Sequence, residues 1–333
     1  MNKRQFLTSF ATAVLAISRG VFAQVSGVTE HLRDLGPVAQ SEREARLEVE
    51  IDEFVVSPRA IEATKAGYAT WHFRAPQETP AQATQEQQGR GTDAHLAEEL
   101  QNPIAALISA PFISNFDFGG GPDGKGFRYR LNFQPVIPVS ISEDWNLISR
   151  TIAPFISQRD MIGTTSQTGL GDTTQSFFFS PKEPTKWGGI IWGAGPAFLL
   201  PSATDDLLGQ EKWGIGPTAV VVKQTGGWTF GMLANHIWSV AGSDHRDDVS
   251  ATFLQPVISY TTKTSMTFGL QAESTYDWKL DQWTVPVVAS VSQIVRVGKQ
   301  PISLQLGGKW FAEGPDGTPA WGIRFAIVLL FPN

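Results

Sequence analysis

The chain has 333 residues, with 26 Lys and Arg, 32 Asp and Glu, 11 Trp, 32 Gly and no Cys. The net charge of −6 argues against a nucleic-acid partner, because such partners favour a basic patch. The absence of cysteine excludes disulfides, thiolate zinc sites and cysteine nucleophiles. Length alone allows one large domain or two ordinary ones.

Residues 1–23 have the three parts of a secretory signal peptide. The basic residues Lys3 and Arg4 precede an apolar stretch, and a small-residue cleavage motif ends at Ala23. The apolar stretch is too short to cross a bilayer as a helix. We therefore expect the protein to be exported and this segment to be removed.

The next two segments differ in their pattern. Residues 24–92 are polar and charged without sustained periodicity, which predicts a mostly disordered, low-complexity periplasmic segment. Over 93–110, apolar residues recur at helical spacing, which predicts a short amphipathic helical segment interrupted by Pro103. Two interpretations of this second segment stay open: a linker, or a segment folded against the mouth or into the lumen of the next domain.

Residues 111–333 consist of segments of about 9 to 14 residues, many of them alternating between apolar and polar, separated by turn residues. The predicted strands are 111–119, 127–139, 145–156, 169–180, 187–200, 213–224, 228–241, 249–262, 265–276, 283–296, 301–313 and 321–331. Short turns alternate along the chain with longer loops, and the count is even. Both features are typical of a single-chain bacterial barrel. The sequence therefore predicts an all-β fold, a single antiparallel transmembrane β-barrel of about 12 strands.

The last predicted strand, "WGIRFAIVLLF", shows why we prefer a membrane barrel to a soluble sheet. Its odd positions from Trp321 are all apolar, whereas Gly322, Arg324 and Ala326 lie between them. A soluble sheet with one wet face would also give this pattern. The tryptophans decide in favour of the barrel, because most lie at predicted strand ends, where indole rings favour a bilayer interface. The predicted interface aromatics are Trp145, Trp187, Trp213, Trp228, Trp278, Trp283 and Trp321.

From about residue 100 to 333 the chain resembles a known family. The stretches "NPIAALISAPFISNFDFGGGPDGKGFRYRLNFQPVIPVSISEDWNLISRTIAPFI", "GLGDTTQSFFFSP", "EKWGIGPTAVVVKQTG" and "ANHIWSVAG" are similar to the outer-membrane proteins named for the MetA pathway of phenol degradation. Some members of that family carry a transferred neuromedin U label, which has no physical support in this sequence. The resemblance implies an outer-membrane barrel with a transport role, and it brings no substrate and no functional residues.

Three motifs invite a chemical interpretation, and each has a simpler one. His236, with Asn235 and Ser239 nearby, suggests a lipid hydrolase on a barrel wall, but His236 and Ser239 fall on opposite faces of a regular strand. The glycine-rich run 119–126 lacks the Gly-Lys-Ser/Thr of a phosphate loop and is predicted to be an extracellular hairpin.

The third motif is the acidic loop with Asp205, Asp206 and Glu211. These carboxylates lack the spacing of a calcium loop, so a solvated loop is the better interpretation. We therefore predict no enzymatic activity, no catalytic residues, no cofactor and no metal site.

Alternation also predicts a charged seam on the inner face. Its residues are Asp117, Arg128, Arg130, Glu273, Lys309 and Arg324. In this prediction Asp117 lies between Arg324 and Arg128, and Glu273, two strands from Lys309, compensates the positive charge only partly. The seam is either a salt-bridge network that fills the barrel or a constriction that favours anions.

The function predicted from the sequence is passive passage of small solutes across the bacterial outer membrane. Hydrophobic or aromatic solutes are included by family analogy alone. The alternatives are a filled, non-conducting structural or interaction barrel and an outer-membrane lipid hydrolase. The expected partners are outer-membrane lipid and lipopolysaccharide, the barrel-assembly machinery during insertion, and small solutes, with no nucleic acid.

Overall fold

The computed structural model describes residues 92–186 and 188–332. The predicted signal peptide and the predicted disordered segment therefore lie outside the described residues, except for Thr92. Within the described part, one helix, α1, spans 92–100 and is followed by twelve strands. The strands are β1 (Ile108–Gly120), β2 (Gly126–Phe133 and Val136–Ser140), β3 (Trp145–Arg159), β4 (Ser166–Leu170 and Thr173–Pro181), β5 (Ile190–Leu200), β6 (Lys212–Thr225), β7 (Trp228–Gly242), β8 (Ser250–Thr261), β9 (Met266–Ala272 and Ser274–Asp277), β10 (Gln282–Thr284 and Pro286–Val297), β11 (Gln300–Phe311) and β12 (Trp321–Phe331).

The strands form one closed antiparallel sheet. Each strand pairs with the next along the chain, and β12 returns to pair with β1. The closing register runs from Ile108 opposite Phe331 to Phe118 opposite Trp321. Closure leaves no unpaired edge, so backbone donors and acceptors bond from strand to strand all round the barrel. The predicted all-β class and the antiparallel barrel of about 12 strands are confirmed.

Four strands are interrupted for one or two residues. The interruptions are at 134–135 in β2, at 171–172 in β4, at Glu273 in β9 and at Val285 in β10. Those of β9 and β10 are adjacent, and the Glu273 amide donates to the Pro286 carbonyl at 2.9 Å across them. An interruption of this kind bends a strand locally. Glu273, at the interruption of β9, faces the lumen on the same side as Gln271.

The two ends of the barrel are different. One end, called the turn end, carries Ile108 and Phe331 together with the connections 141–144, 182–189, 226–227, 262–265 and 298–299. The opposite end, called the loop end, carries the connections 121–125, 160–165, 201–211, 243–249, 278–281 and 312–320. The longest connection, 201–211, is therefore at the loop end.

The outer face of the barrel is apolar. In β12, Trp321, Ile323, Phe325 and Ile327 are exposed, and the alternate residues from Gly322 to Leu330 are buried. Exposed apolar side chains recur at alternate positions in other strands, such as β6 and β7. Such a pattern is typical of strands with lipid on one side.

Most of the predicted interface aromatics are exposed and near strand ends. Trp145 and Trp228 lie at the turn end, and Trp213, Trp278 and Trp321 lie at the loop end. Trp283 is half-buried at the loop end, where its ring is 4.9 Å from that of Tyr276. Trp187 lies outside the described residues. Three further indoles, which were not among the predicted ones, are also exposed: Trp192, Trp238 and Trp310.

The chain before β1 occupies the lumen at the turn end. We call residues 92–107 the plug; it consists of α1 and the turns that follow it. Leu96, Ala97 and Leu107 pack with buried residues of β10 and β12. Ile104 packs with buried residues of β3, β4, β6 and β7, so the plug contacts both sides of the lumen.

The plug is shorter than the helical segment predicted over 93–110. The helix ends at 100 because Pro103 disfavours helical backbone in the residue before it. The Asn102 carboxamide oxygen accepts from the Ile104 amide at 3.2 Å and stabilises a turn there. The first strand consequently begins at Ile108, where the sequence predicted residue 111. Among the described residues, no helix is both long enough and apolar enough to cross a bilayer.

Candidate functional site

The lumen contains a cluster of charged side chains on the loop-end side of the plug. Its first element is an ion pair between Lys309 of β11 and Asp117 of β1. The exposed fraction is 7% for Lys309 and 2% for Asp117, so both charges are buried. The two residues are on strands that flank β12, and both have Gly322 as their register neighbour.

Gly322 makes this ion pair possible. A Cβ atom at this position would lie 2.6 Å from Oδ1 of Asp117 and 3.2 Å from Cε of Lys309. Any side chain there would occupy the space through which the lysine reaches the carboxylate. The glycine is therefore required by the close approach of two side chains across a strand.

The second element is an ion pair between Arg324 of β12 and Glu273. Nη1 and Nη2 of Arg324 donate to the two carboxylate oxygens of Glu273 at 2.7 and 2.8 Å, and Nε donates to Asn115 at 2.8 Å. Nε2 of Gln271 also donates to Glu273, at 2.7 Å. Arg324 is 4% exposed, and its two Nη atoms bind the carboxylate in the planar, bidentate geometry that is favoured for such pairs.

These pairings differ from the predicted ones. The sequence placed Asp117 between Arg324 and Arg128, and left Glu273 as a partial compensation of Lys309. In the structure Asp117 pairs with Lys309, and Glu273 neutralises Arg324. Glu273 faces the lumen, and Gly307 opposite Arg324 in the register leaves that wall without a side chain.

The remaining cations have no such partner. Within residues 92–186 and 188–332, no carboxylate forms an ion pair with Arg128, Arg130 or Arg150. The Nε atoms of Arg128 and Arg130 are buried and have no hydrogen-bond acceptor. Nη2 of Arg150 donates to Gln134 at 3.3 Å. Among the described residues of this cluster, five cations face two carboxylates, which leaves three positive charges.

A cavity of about 340 Å³ separates the charged cluster from the plug. Arg130, Arg150, Glu273 and Arg324 contribute to its walls, together with several amide side chains. Glu99 and other residues of the plug form part of the boundary at the turn end. Apolar side chains of β7 and β8 line another part, so the cavity is cationic on one side and apolar on the other.

The histidine considered as a catalytic residue lies elsewhere. Nδ1 of His236 is 2.7 Å from Oγ1 of Thr252, and its ring is 4.1 Å from that of Trp238 on the outer face. Ser239 donates to Asp248 at 3.1 Å and accepts from the Val249 amide at 3.0 Å. The histidine and the serine therefore have separate partners and do not form a nucleophile–base pair.

The other two motifs have structural partners of their own. Glu211 of the acidic loop forms an ion pair with Arg246 at 3.5 Å, and Asp205 accepts from the Leu207 amide at 2.9 Å. In the part of the chain that the structure describes, no three His, Asp or Glu side chains are grouped to hold a metal. The glycine-rich run joins β1 directly to β2, so no helix follows it as a phosphate loop requires.

Comparison with known proteins shows similarity at the level of the fold. No protein-family model matches the sequence, and no curated protein sequence matches it significantly. The family resemblance noted above therefore stays a prediction. Among solved structures, the chain is similar to an outer membrane channel from Pseudomonas putida F1, with a TM-score of 0.54 and 13% identity over 68% of this chain and 96% of that one. It also matches outer membrane phospholipase A from Escherichia coli, with a TM-score of 0.41 and 10% identity over 73% and 98% of the chains, a likeness too low to support an inference on activity.

Proposed function

We propose that this protein is a bacterial outer-membrane barrel that passes small solutes and whose lumen is restricted by the plug. The observation that carries the proposal is a cavity with one cationic side inside a closed barrel with an apolar outer face. An apolar outer face is stable when it contacts lipid, and a charged interior is stable when it contacts water or polar solutes. The likeness in fold to an outer membrane channel supports the same function.

The membrane assignment sets the remaining expectations. In a bacterial outer membrane the turn end faces the periplasm and the loop end faces outward. Lipid and lipopolysaccharide would contact the apolar belt and its tryptophans, and the assembly machinery would act during insertion. Export would depend on the predicted signal peptide, which lies outside the described residues.

The plug controls whether a solute passes. Its polar contacts with the barrel include the ion pair between Asp93 and Arg296, and the bond from Gln224 to the Glu98 carbonyl at 2.6 Å. Its apolar contacts are the two packed groups around Leu96 and Ile104. Passage through the turn end therefore requires the plug to shift, and the charged cluster then meets the solute.

The same plug supports a second candidate function, a filled barrel that does not conduct. The lumen of a twelve-stranded barrel is narrow, and in this barrel both the ion pairs and the plug occupy it. In this case the barrel would serve as a structural or interaction protein. A third candidate, a lipid hydrolase, has no support in the geometry of His236 and Ser239.

Liposome swelling with solutes of graded size separates the first two functions. A cysteine-free chain allows the plug to be locked, since Cδ1 of Ile104 approaches to 3.4 Å the position of a Cβ atom at Gly193. We expect swelling with the mature protein, faster swelling without residues 24–107, and none in an Ile104→Cys, Gly193→Cys variant treated with a short thiol cross-linker. The same variant before cross-linking is the matched control. No swelling in any form, with barrel folding shown by heat-modifiable gel mobility, would establish the filled barrel instead.

A further inference from the structure

The lumen cavity has two chemically different walls. On one wall are Arg130 of β2 and Arg150 of β3, and on the other are Phe253 of β8 and Leu233 of β7. Leu233 is buried in the apolar group around Ile104, and Phe253 packs against that group. A cavity of this size, about 340 Å³, is within the range that holds a small organic molecule.

The two arginines keep donors that the protein does not use. Nε of Arg130 is buried without an acceptor, and Arg150 has one long bond to Gln134. The carboxylate of Glu273 lines the same cavity but is held by both Nη atoms of Arg324. An anion that enters the cavity supplies acceptors for the guanidinium donors of Arg130 and Arg150 that face it.

We propose that the cavity between the plug and the charged cluster binds small monocarboxylates that have an apolar body. The carboxylate accepts from Arg130 and Arg150, and the apolar body contacts Phe253 and Leu233. The proposal rests on the proposed function, because such a molecule reaches the cavity only through the lumen. It makes the barrel a selective passage whose preferred solutes combine one negative charge with an apolar portion.

The charge balance favours an anion over a neutral solute. Among the described residues that line the cavity, the three cations Arg130, Arg150 and Arg324 face the two carboxylates Glu99 and Glu273, which leaves one net positive charge. Like charges around a narrow, low-dielectric passage focus the field on an entering ion. The apolar wall then discriminates between a bare inorganic anion and one that buries apolar surface.

Isothermal titration calorimetry on the full-length protein in a non-ionic detergent tests this site. The probes are benzoate, its neutral counterpart benzamide, and acetate, which keeps the carboxylate but has little apolar surface. We expect benzoate to bind about tenfold or more tightly than benzamide, because a charge-assisted hydrogen bond of about 1.5–3 kcal/mol corresponds to a factor of about ten to a hundred. We also expect it to bind more tightly than acetate, because acetate buries little apolar surface. Equal affinity for benzamide would overturn the carboxylate part of the proposal, and equal affinity for acetate the apolar part.

Variants locate the site. Arg130→Met and Arg150→Met should each weaken benzoate binding about tenfold or more and leave the affinity for benzamide unchanged. The matched control is Arg159→Met, which removes a positive charge from an exposed side chain that pairs with Asp160 at 3.5 Å. Both arginines are half-buried and form no ion pair with a carboxylate of the described residues, so their removal leaves no charge unpaired. Heat-modifiable mobility verifies folding for each variant. Benzoate binding that is unchanged in both variants, or weakened equally in Arg159→Met, would overturn the site.

Failure of the site and failure of the proposed function give different results. A protein that swells liposomes but binds no benzoate is a passage without this site. A protein that binds benzoate with the expected arginine dependence, but swells liposomes with no solute, has the site in a barrel that does not conduct.

Discussion

The two halves of the lumen are filled in different ways. At the turn end, Ile148, Phe178 and Leu330 are fully or almost fully buried against the plug and its neighbours. At the loop end, the lumen contains two ion pairs and further arginines. Apolar packing needs only shape, whereas the charged half needs specific partners at specific distances. The difference predicts that single substitutions have larger effects in the charged half.

The largest effect should come from Glu273→Gln. This change leaves Arg324 buried without its carboxylate, and breaking a buried pair from one side costs about 3–5 kcal/mol. Urea unfolding in detergent micelles, followed by heat-modifiable mobility, measures the loss. The double variant Glu273→Gln, Arg324→Met should recover most of it, and Glu313→Gln in an exposed loop is the matched control. If the single variant is as stable as the parent, the ion pair between Glu273 and Arg324 does not contribute to the stability of the barrel.

The next effect tests the outer face. Leu270→Arg places a charge on an exposed apolar position of β9, and a cationic side chain at the bilayer midplane costs about 2–4 kcal/mol. Gln271→Arg places the same charge on the adjacent, lumen-side residue, where the carboxylate of Glu273 is within reach as an acceptor. We expect only the first to impair assembly into lipid vesicles. Equal assembly of the two variants would mean that this face does not contact lipid.

Ile327→Arg extends the test to β12. Its exposed side chain is also on the outer face, so a similar loss is expected. Val328 is a poor control for it, because the structure buries Val328 against the plug. An arginine at position 328 would disturb the apolar half of the lumen and lower stability even if the outer face did not contact lipid.

Features that depend on residues within one strand could be predicted from the sequence, whereas features that depend on contacts between strands could not. Strand positions were predicted well because lipid and lumen impose a period of two on each strand separately. The interruptions at Glu273 and Val285 were not predicted, since a single missing ladder bond leaves little trace in an alternating pattern. Ion-pair partners were also mispredicted, because they depend on the register between strands and on glycines such as Gly322.

Two other features were beyond the sequence for different reasons. The position of the plug was left open, because a short amphipathic run has the same pattern in a linker and in a packed segment. Arg150 was not included in the predicted seam, because the apolar and polar residues around it in β3 alternate poorly. Its contact with Gln134 becomes evident only when β2 and β3 are paired.

A smaller effect should follow Gly322→Ala. The added methyl group would overlap Asp117 and press on Lys309, and overpacking of this kind costs about 1–3 kcal/mol. Gly308→Ala, one strand away on the exposed outer face, meets nothing within 4 Å and should be close to neutral. The comparison uses the same unfolding assay. Equal midpoints would show that Lys309 and Asp117 can separate without loss.

The smallest effect should follow Asp93→Asn, which breaks the ion pair between the plug and Arg296. The Arg296 side chain is 38% exposed, so the loss of stability should stay below about 1 kcal/mol. The expected change is faster liposome swelling at low salt, and the difference from the parent should shrink as salt screens the pair. Swelling that is the same at all salt concentrations would mean that the apolar contacts alone hold the plug. Asp316→Asn, in an exposed loop, is the control.

The position of the plug in the chain has a consequence for assembly. Residue 107 at its end is followed immediately by Ile108, the first residue of β1, which pairs with Phe331 when the cylinder is completed. The plug also packs against Val328 and Leu330, which belong to β12. Its apolar side chains therefore gain their final contacts only when the first and last strands meet. The pairing of β1 with β12 and the packing of the plug are therefore coupled steps. The buried contacts formed in one step add to the driving force for the other.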